Sequence, residues 1–161
     1  MSLAPLRRLV AALAATLALP AAAQSAPAAN YTDMWWNPSE SGWGISFLQH
    51  AGTNQVYAVW YTYDPREPEG NAHKPLWIVM SGGTWTSPTT ITGPVYVTNG
   101  VPFSQPGGKT AQNQVGTFTF NFSSAGSGTF SYSIAAAGNP GEPGAGLPAF
   151  SGTKPIVRQS F

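Results

Sequence analysis

The chain has no cysteine, and only 8 % of its 161 residues are charged. Without cysteine there is no disulfide framework, no thiolate nucleophile and no thiolate metal ligand, so the fold must be held by packing alone. Histidine is nearly as scarce. His50 and His73 are the two present, which excludes a three-histidine metal site, and a Cys-His pair cannot be assembled. No Gly-x-Ser-x-Gly elbow occurs to present a catalytic serine. Long apolar runs are also missing: the longest, Leu9 to Leu19, is eleven residues, too few to cross roughly 30 Å of hydrocarbon, so no membrane span is expected. No segment after it carries a helical stripe.

That apolar run belongs to an N-terminal export signal. Arg7 and Arg8 precede it and Pro20-Ala21-Ala22-Ala23 follows it as a small-residue cleavage site. The residues after the arginine pair, Leu9-Val10-Ala11, do not fit a twin-arginine signal. Residues 1–23 are therefore read as a signal peptide cleaved near Ala23, which sends the protein to the periplasm or the medium. Residues 24–30, rich in Ala, Ser and Pro, are read as a disordered spacer, and 31–161 as a single domain. Beyond the signal, five basic residues (Arg66, Lys74, Lys109, Lys154, Arg158) face six acidic ones. That balance supplies no basic footprint for nucleic acid and argues against acidic polymers as partners.

What the chain has in quantity is aromatic side chains, glycine and proline: six Trp, six Tyr, eight Phe, 18 Gly and 15 Pro. This composition suits short strands joined by tight turns. Alternation bears it out. Trp43, Ile45 and Phe47 alternate with Gly44 and Ser46, while Val56, Ala58 and Trp60 alternate with Tyr57, Val59 and Tyr61. Leu76, Ile78 and Met80 alternate with Trp77, Val79 and Ser81. The last two runs are apolar on both faces, whereas Phe118, Phe120 and Phe122, then Phe130, Tyr132 and Ile134, oppose polar residues, as in antiparallel strands with one wet side. The spacing predicts an all-β antiparallel meander of seven or eight strands at about 43–50, 55–64, 75–82, 89–98, 114–122, 127–135 and 152–160, with a possible short one near Tyr31. It is either a barrel or a sandwich, and a closed barrel is the preferred expectation. Gly83-Thr84-Trp85-Thr86, Gly116-Thr117-Phe118-Thr119 and Gly128-Thr129-Phe130-Ser131 echo one another, the last two flanking a turn at Ser123 to Gly126. Two loops, Pro65 to Lys74 and Ala136 to Ala149, are expected to add nothing to the core. A terminal aromatic, Phe161, is a feature of outer-membrane barrels, but the last strand, with Lys154, Pro155, Arg158 and Gln159, offers no lipid-facing side.

Candidate chemistry is sparse. His73, Glu67, Glu69 and Asp64 lie within one loop and read as solubilising charge rather than as a metal site. Asp33 and Glu40 flank a tryptophan cluster and form the sole carboxylate pair with a place in glycoside cleavage. The cluster itself is the best clue. Trp35, Trp36, Trp43, Trp60 and Trp77 either fill a barrel core or contact a ligand, and adjacent Trp35 and Trp36 cannot both point inward from one strand. Asn37-Pro38-Ser39-Glu40-Ser41-Gly42 reads as a turn holding Trp36 and Trp43 about a polar notch edged by Asn37, Ser39 and Glu40.

These residues also carry a resemblance. Trp35-Trp36-Asn37-Pro38-x-Glu40-Ser41-Gly42-Trp43-Gly44, Trp60-Tyr61-Thr62-Tyr63-Asp64, Lys74-Pro75-Leu76-Trp77, Gly93-Pro94-Val95-Tyr96 and Lys154-x-Ile156-x-Arg158-Gln159-x-Phe161 resemble a family of small exported proteins and repeated modules of Gram-negative bacteria. The likeness covers nearly the whole chain after the signal and implies a self-contained all-β exported module with no assigned activity and no catalytic residue to carry over. Pro65 to His73 and Ala136 to Ala149 depart from the family pattern, which has short turns there. Because the resemblance includes both Glu40 and Arg158, and a barrel brings first and last strands together, these two are expected to form an ion pair.

The sequence thus points to an exported, non-enzymatic β-domain that binds a small, glycan-like or surface ligand through its aromatics. It needs no cofactor and no metal. The rival expectations are a structural envelope module with every tryptophan in the core, and a hydrolase using Glu40.

Overall fold

A computed structural model describes residues 25–105 and 107–160, so the predicted signal at 1–23 and Phe161 lie outside the described residues. Among the described residues nine strands follow one another: β1 (Asp33–Trp36), β2 (Gly44–Gln49), β3 (Val56–Tyr63), β4 (Pro75–Ser81), β5 (Thr84–Ser87), β6 (Thr90–Asn99), β7 (Ala111–Ser124), β8 (Ser127–Ile134) and β9 (Phe150–Arg158). Every pairing is antiparallel. The ladder closes twice: β1 meets β9 through Trp35↔Arg158 and Trp36↔Val157, and β4 meets β6 through Val79↔Tyr96 and Met80↔Val95. The result is an eight-stranded closed barrel, with β5 as an extra strand hydrogen-bonded to β6 outside the ring. Closure as a barrel is the predicted outcome. The short Trp85 strand is the addition that the alternation did not announce.

Eight strands enclose a space just wide enough for side chains to fill, and here aromatics fill it. Tyr31 stacks on Phe122 at 3.9 Å, Phe120 stacks on Phe130 at 5.1 Å, and Trp60 meets Phe130 edge-on at 5.3 Å and Tyr132 at 4.7 Å. This column runs the length of the barrel, walled by Ile45, Phe47, Ile78, Met80, Ile91 and Ile156, all buried. Glycine permits the close approach of neighbouring strands beside it. A Cβ on Gly128 would sit 2.7 Å from the Asn121 carbonyl, and one on Gly116 would strike the Ser133 carbonyl. The echoed Gly-Thr-aromatic pattern therefore has a steric origin: the glycine yields to an adjacent strand while the aromatic two residues on enters the core.

Two expectations need correction. The loop at 136–149 does contribute to the core, because Ala137 and Leu147 are buried in it, the loop folding back through Gly146 N–H to the Ala137 carbonyl at 2.9 Å. Residues 25–30 are not a free spacer either. The Ser25 amide donates to the Trp85 carbonyl at 3.1 Å and the Ala28 amide to the Pro88 carbonyl at 2.7 Å, which lays the segment against the outer edge of β5. An uncovered strand edge would invite another chain, so this contact shields it.

The meander sorts its connections. Residues 37–43, 64–74, 100–105 with 107–110, and 135–149 all emerge at one end of the barrel, the loop end, and the tight turns lie at the other. The outer surface is sorted as well. Over β6 to β9, Thr92, Thr119, Ser131 and Thr153 stand in one registered row. A filled apolar interior beneath such a hydroxyl exterior is the reverse of a lipid-facing barrel. No helix among the described residues is long and apolar enough to cross a membrane.

Candidate functional site

The turn after β1 is built by local chemistry. Pro38 presets the bend, the Asn37 carbonyl accepts the Glu40 amide at 3.0 Å, and Asn37 Oδ1 accepts the Ser39 amide at 3.0 Å. Gly42 leaves the turn at φ +93°, a conformation that suits glycine. The turn delivers the Glu40 carboxylate to three donors: Asn37 Nδ2 to Oε1 at 3.2 Å, and Trp43 Nε1 at 3.1 Å and Lys154 Nζ at 2.7 Å to Oε2. The Lys154 ammonium and the Trp43 indole hold the Glu40 carboxyl below the usual glutamate range, and the same bond raises Lys154. This is a clasp joining the β1–β2 turn to β9 across the seam where β1 has ended.

The predicted ion pair is thereby corrected: Glu40 pairs with Lys154, not with Arg158. The register sets Arg158 beside Trp35, and its side chain runs back toward the start of β1, away from Glu40. Its guanidinium lies 5.4 Å from the Trp35 ring, 3.5 Å from the Asp33 carboxylate, and donates to the Asn30 carbonyl at 3.0 Å. Asp33 and Glu40, the carboxylate pair considered for hydrolysis, therefore occupy opposite ends of β1, each with its own cation.

The tryptophans divide into three groups. Trp35 is core, 1 % exposed, with its Nε1 donating to the Tyr31 carbonyl at 3.0 Å. Trp60 is core at 7 % exposure, and its Nε1 has no partner among the described residues. Half-buried Trp43 closes the loop end over Trp60 and Phe130, at 6.5 and 6.3 Å. Trp36 is also half-buried but faces outward, since it alternates with Trp35. Trp36 and Trp43 thus lie on opposite sides of the sheet, and the expected notch between them does not form. Asn37 is buried and engaged in the turn, and Ser39 is exposed with its amide in the turn.

Trp77 is different. It is 62 % exposed, on the outer face of β4, and meets Tyr61 of β3 edge-on at 5.8 Å. Register extends the patch. Tyr61 pairs with Trp77 and Gly44, Val59 with Val79 and Ser46, Tyr57 with Ser81 and Leu48, and Tyr63 with Pro75. Tyr57, Tyr61, Tyr63 and Leu48 are all exposed. No residue of β2, β3 or β4 is charged. The sequence signalled this face, because β3 and β4 are apolar on both sides, yet the three tyrosines were not singled out. Lys154 was missed as a partner as well, although alternation places it on the same face as buried Ile156.

The loop charges form no metal site. Asp64 is clamped by the Arg66 guanidinium, which lowers the Asp64 carboxyl and raises Arg66. Arg66 also donates to the Ala145 carbonyl at 2.6 Å, tying the loop at 64–74 to the loop at 135–149. His73 Nδ1 lies 2.6 Å from the Asp64 carbonyl, and Glu67 faces Lys74 at 3.5 Å. No three His, Asp or Glu side chains converge among the described residues.

Fold and site together define a filled antiparallel β-barrel with one uncharged aromatic exterior face. No protein-family model, curated protein or solved structure matches the chain.

Proposed function

We propose that this chain is an exported, non-catalytic binding module whose ligand is a neutral glycan held on the outer face of β3 and β4. One observation carries the reading: Trp77, 62 % exposed beside Tyr61, on strands without a single charge. A large exposed indole costs solubility and is informative where the other tryptophans are buried or half-buried. Sugar rings present apolar C–H faces that pack on indole and phenol, while their hydroxyls meet tyrosine and serine hydroxyls at the rim. Catalysis by Glu40 fits poorly. A general acid in glycoside cleavage must keep its proton near neutrality, which needs a raised pKa, whereas Lys154 and Trp43 hold Glu40 ionised.

The test is retention on insoluble neutral polysaccharides together with quenching of tryptophan fluorescence by soluble ones. Wild type is expected to bind, and Trp77→Ala to lose binding while its melting temperature falls by only about 3–4 °C. Failure to bind any neutral glycan, or undiminished binding by Trp77→Ala, would overturn the proposal, and the first result would favour a purely structural module.

A further inference from the structure

Resting on that reading of the outer face, we infer that its occupant is an extended glycan chain bridging two clefts, rather than a single sugar. The aromatic rank on β3 runs from Tyr57 to Tyr63, six residues of strand, or about 20 Å at the usual strand rise. A cleft lies at each end. Toward the turn end, a cavity of about 520 Å³ is lined by Leu48, His50, Gln55, Tyr57 and Ser81, among others. Toward the loop end, one of about 310 Å³ is lined by Pro75, Leu76, Trp77, Val97 and Thr98. The second exists because the β4–β6 ladder comprises only Val79↔Tyr96 and Met80↔Val95, and beyond it the strands part. Both volumes are in the range of small-ligand subsites.

Each cleft joins an exposed ring to hydrogen-bonding side chains. Tyr57 stands with the His50 imidazole, the Gln55 amide and the Ser81 hydroxyl, and Trp77 with the Thr98 hydroxyl. His50 is held by its own turn, Nδ1 lying 3.2 Å from the Thr53 amide and 3.1 Å from its hydroxyl. Nothing blocks the path between the clefts. The outward neighbours of Tyr61 and Val59 on β2 are Gly44 and Ser46, the two smallest side chains on that face, and Val59 and Val79 form a low apolar floor. From Tyr57 to the Tyr61–Trp77 pair is four residues, about 14 Å along the strand, more than one sugar ring can bridge. Without charge along the way, an anionic or cationic polymer gains nothing here, which selects a neutral chain.

The experiment is calorimetric titration of the purified full chain with cello-, malto- and chito-oligosaccharide series from monosaccharide to hexasaccharide, at low and high salt. Expected is a rise in affinity of about tenfold or more between the shortest and longest members of one series, insensitive to salt. Tyr57→Ala and Trp77→Ala should each lower hexasaccharide affinity about tenfold, one ring's stacking in each case. Tyr57→Thr and Trp77→Thr, better strand formers, serve where an alanine variant melts early. Equal affinity for every chain length, or no effect at Tyr57, would overturn the bridging inference and leave the Trp77 platform standing. A salt-sensitive preference for an acidic glycan would overturn the neutral assignment. Absence of binding at every length, or retention of a peptide on this face instead, would overturn both the inference and the function on which it rests.

Discussion

Two tryptophans of this chain should respond to the same substitution with losses of very different size. Trp35→Ala removes a ring that is 1 % exposed, lies 5.0 Å from Phe122 and donates to the Tyr31 carbonyl. Truncating a large buried ring costs about 3–5 kcal/mol, a figure that includes leaving that carbonyl without its donor. The Arg158 guanidinium over the ring loses its cation–π partner, a further fraction of a kcal/mol. Destabilisation of about 4–5 kcal/mol follows, the upper part of the range because the barrel's stacked column cannot collapse around the gap. At about 3–4 °C per kcal/mol for a domain of this size, the melting temperature should fall by about 12–20 °C. Trp77→Ala leaves the interior untouched and forfeits the edge-on contact with Tyr61, about 1 kcal/mol, or 3–4 °C. Thermal melts followed by near-ultraviolet dichroism, with urea titrations to obtain free energies, separate the two. A Trp35→Ala melt within 5 °C or so of wild type would refute the core assignment, and a Trp77→Ala melt as low as that expected for Trp35→Ala would refute the surface one.

Three further outcomes follow from the same geometry. Glu40 and Asp64 are both depressed in the folded state, so the unfolded chain binds more protons; their stabilisation is complete above the ordinary carboxylate range and disappears as pH falls through the folded values, and Glu40→Gln should flatten that acid limb in melts run across pH. Gly116→Ala drives a methyl group into the Ser133 carbonyl and should cost more than about 2 kcal/mol, read as a fall in the urea midpoint, whereas Gly126→Ala, which meets nothing nearby, should be close to neutral. Arg66→Ala removes the bridge to the Ala145 carbonyl and unpairs Asp64; a loss of about 2 kcal/mol is expected, with amide exchange rising across 136–149 and little change in β7 or β8.

Much of this fold was legible in the chain. Strict alternation at Ile45 and Phe47, at Phe118, Phe120 and Phe122, and at Phe130 specified strands and their buried faces, because side-chain direction in a strand depends only on parity. The turn at Asn37 to Gly42 was equally local: Pro38 and the Asn37 side chain fix it without help from the rest of the molecule. The site was less legible. Parity showed that Trp35 and Trp36 face opposite ways, but which of the other rings would be solvent-exposed depended on what each strand finds beside it. Tyr57, Tyr61 and Trp77 became one face only through the β2–β3–β4 register, a set of long-range pairings that no local pattern encodes.

Glu40 shows the division most plainly. Lys154 and Arg158 are four residues apart on one strand, share a side of it, and carry the same charge, so both satisfied every rule of sequence for its partner. Closure decided between them. Once Trp35 pairs with Arg158 and Trp36 with Val157, β1 has run out before it reaches Lys154, and the Asn37–Gly42 turn swings Glu40 into the space beside that ammonium. The sequence by itself determined an all-β chain with an aromatic core, a rigid turn and a nearly uncharged surface, since each follows from composition, parity and side-chain chemistry. The tertiary structure decided the clasp, the seam between β4 and β6, and the exterior aromatic face, since each depends on which strands meet when the sheet closes.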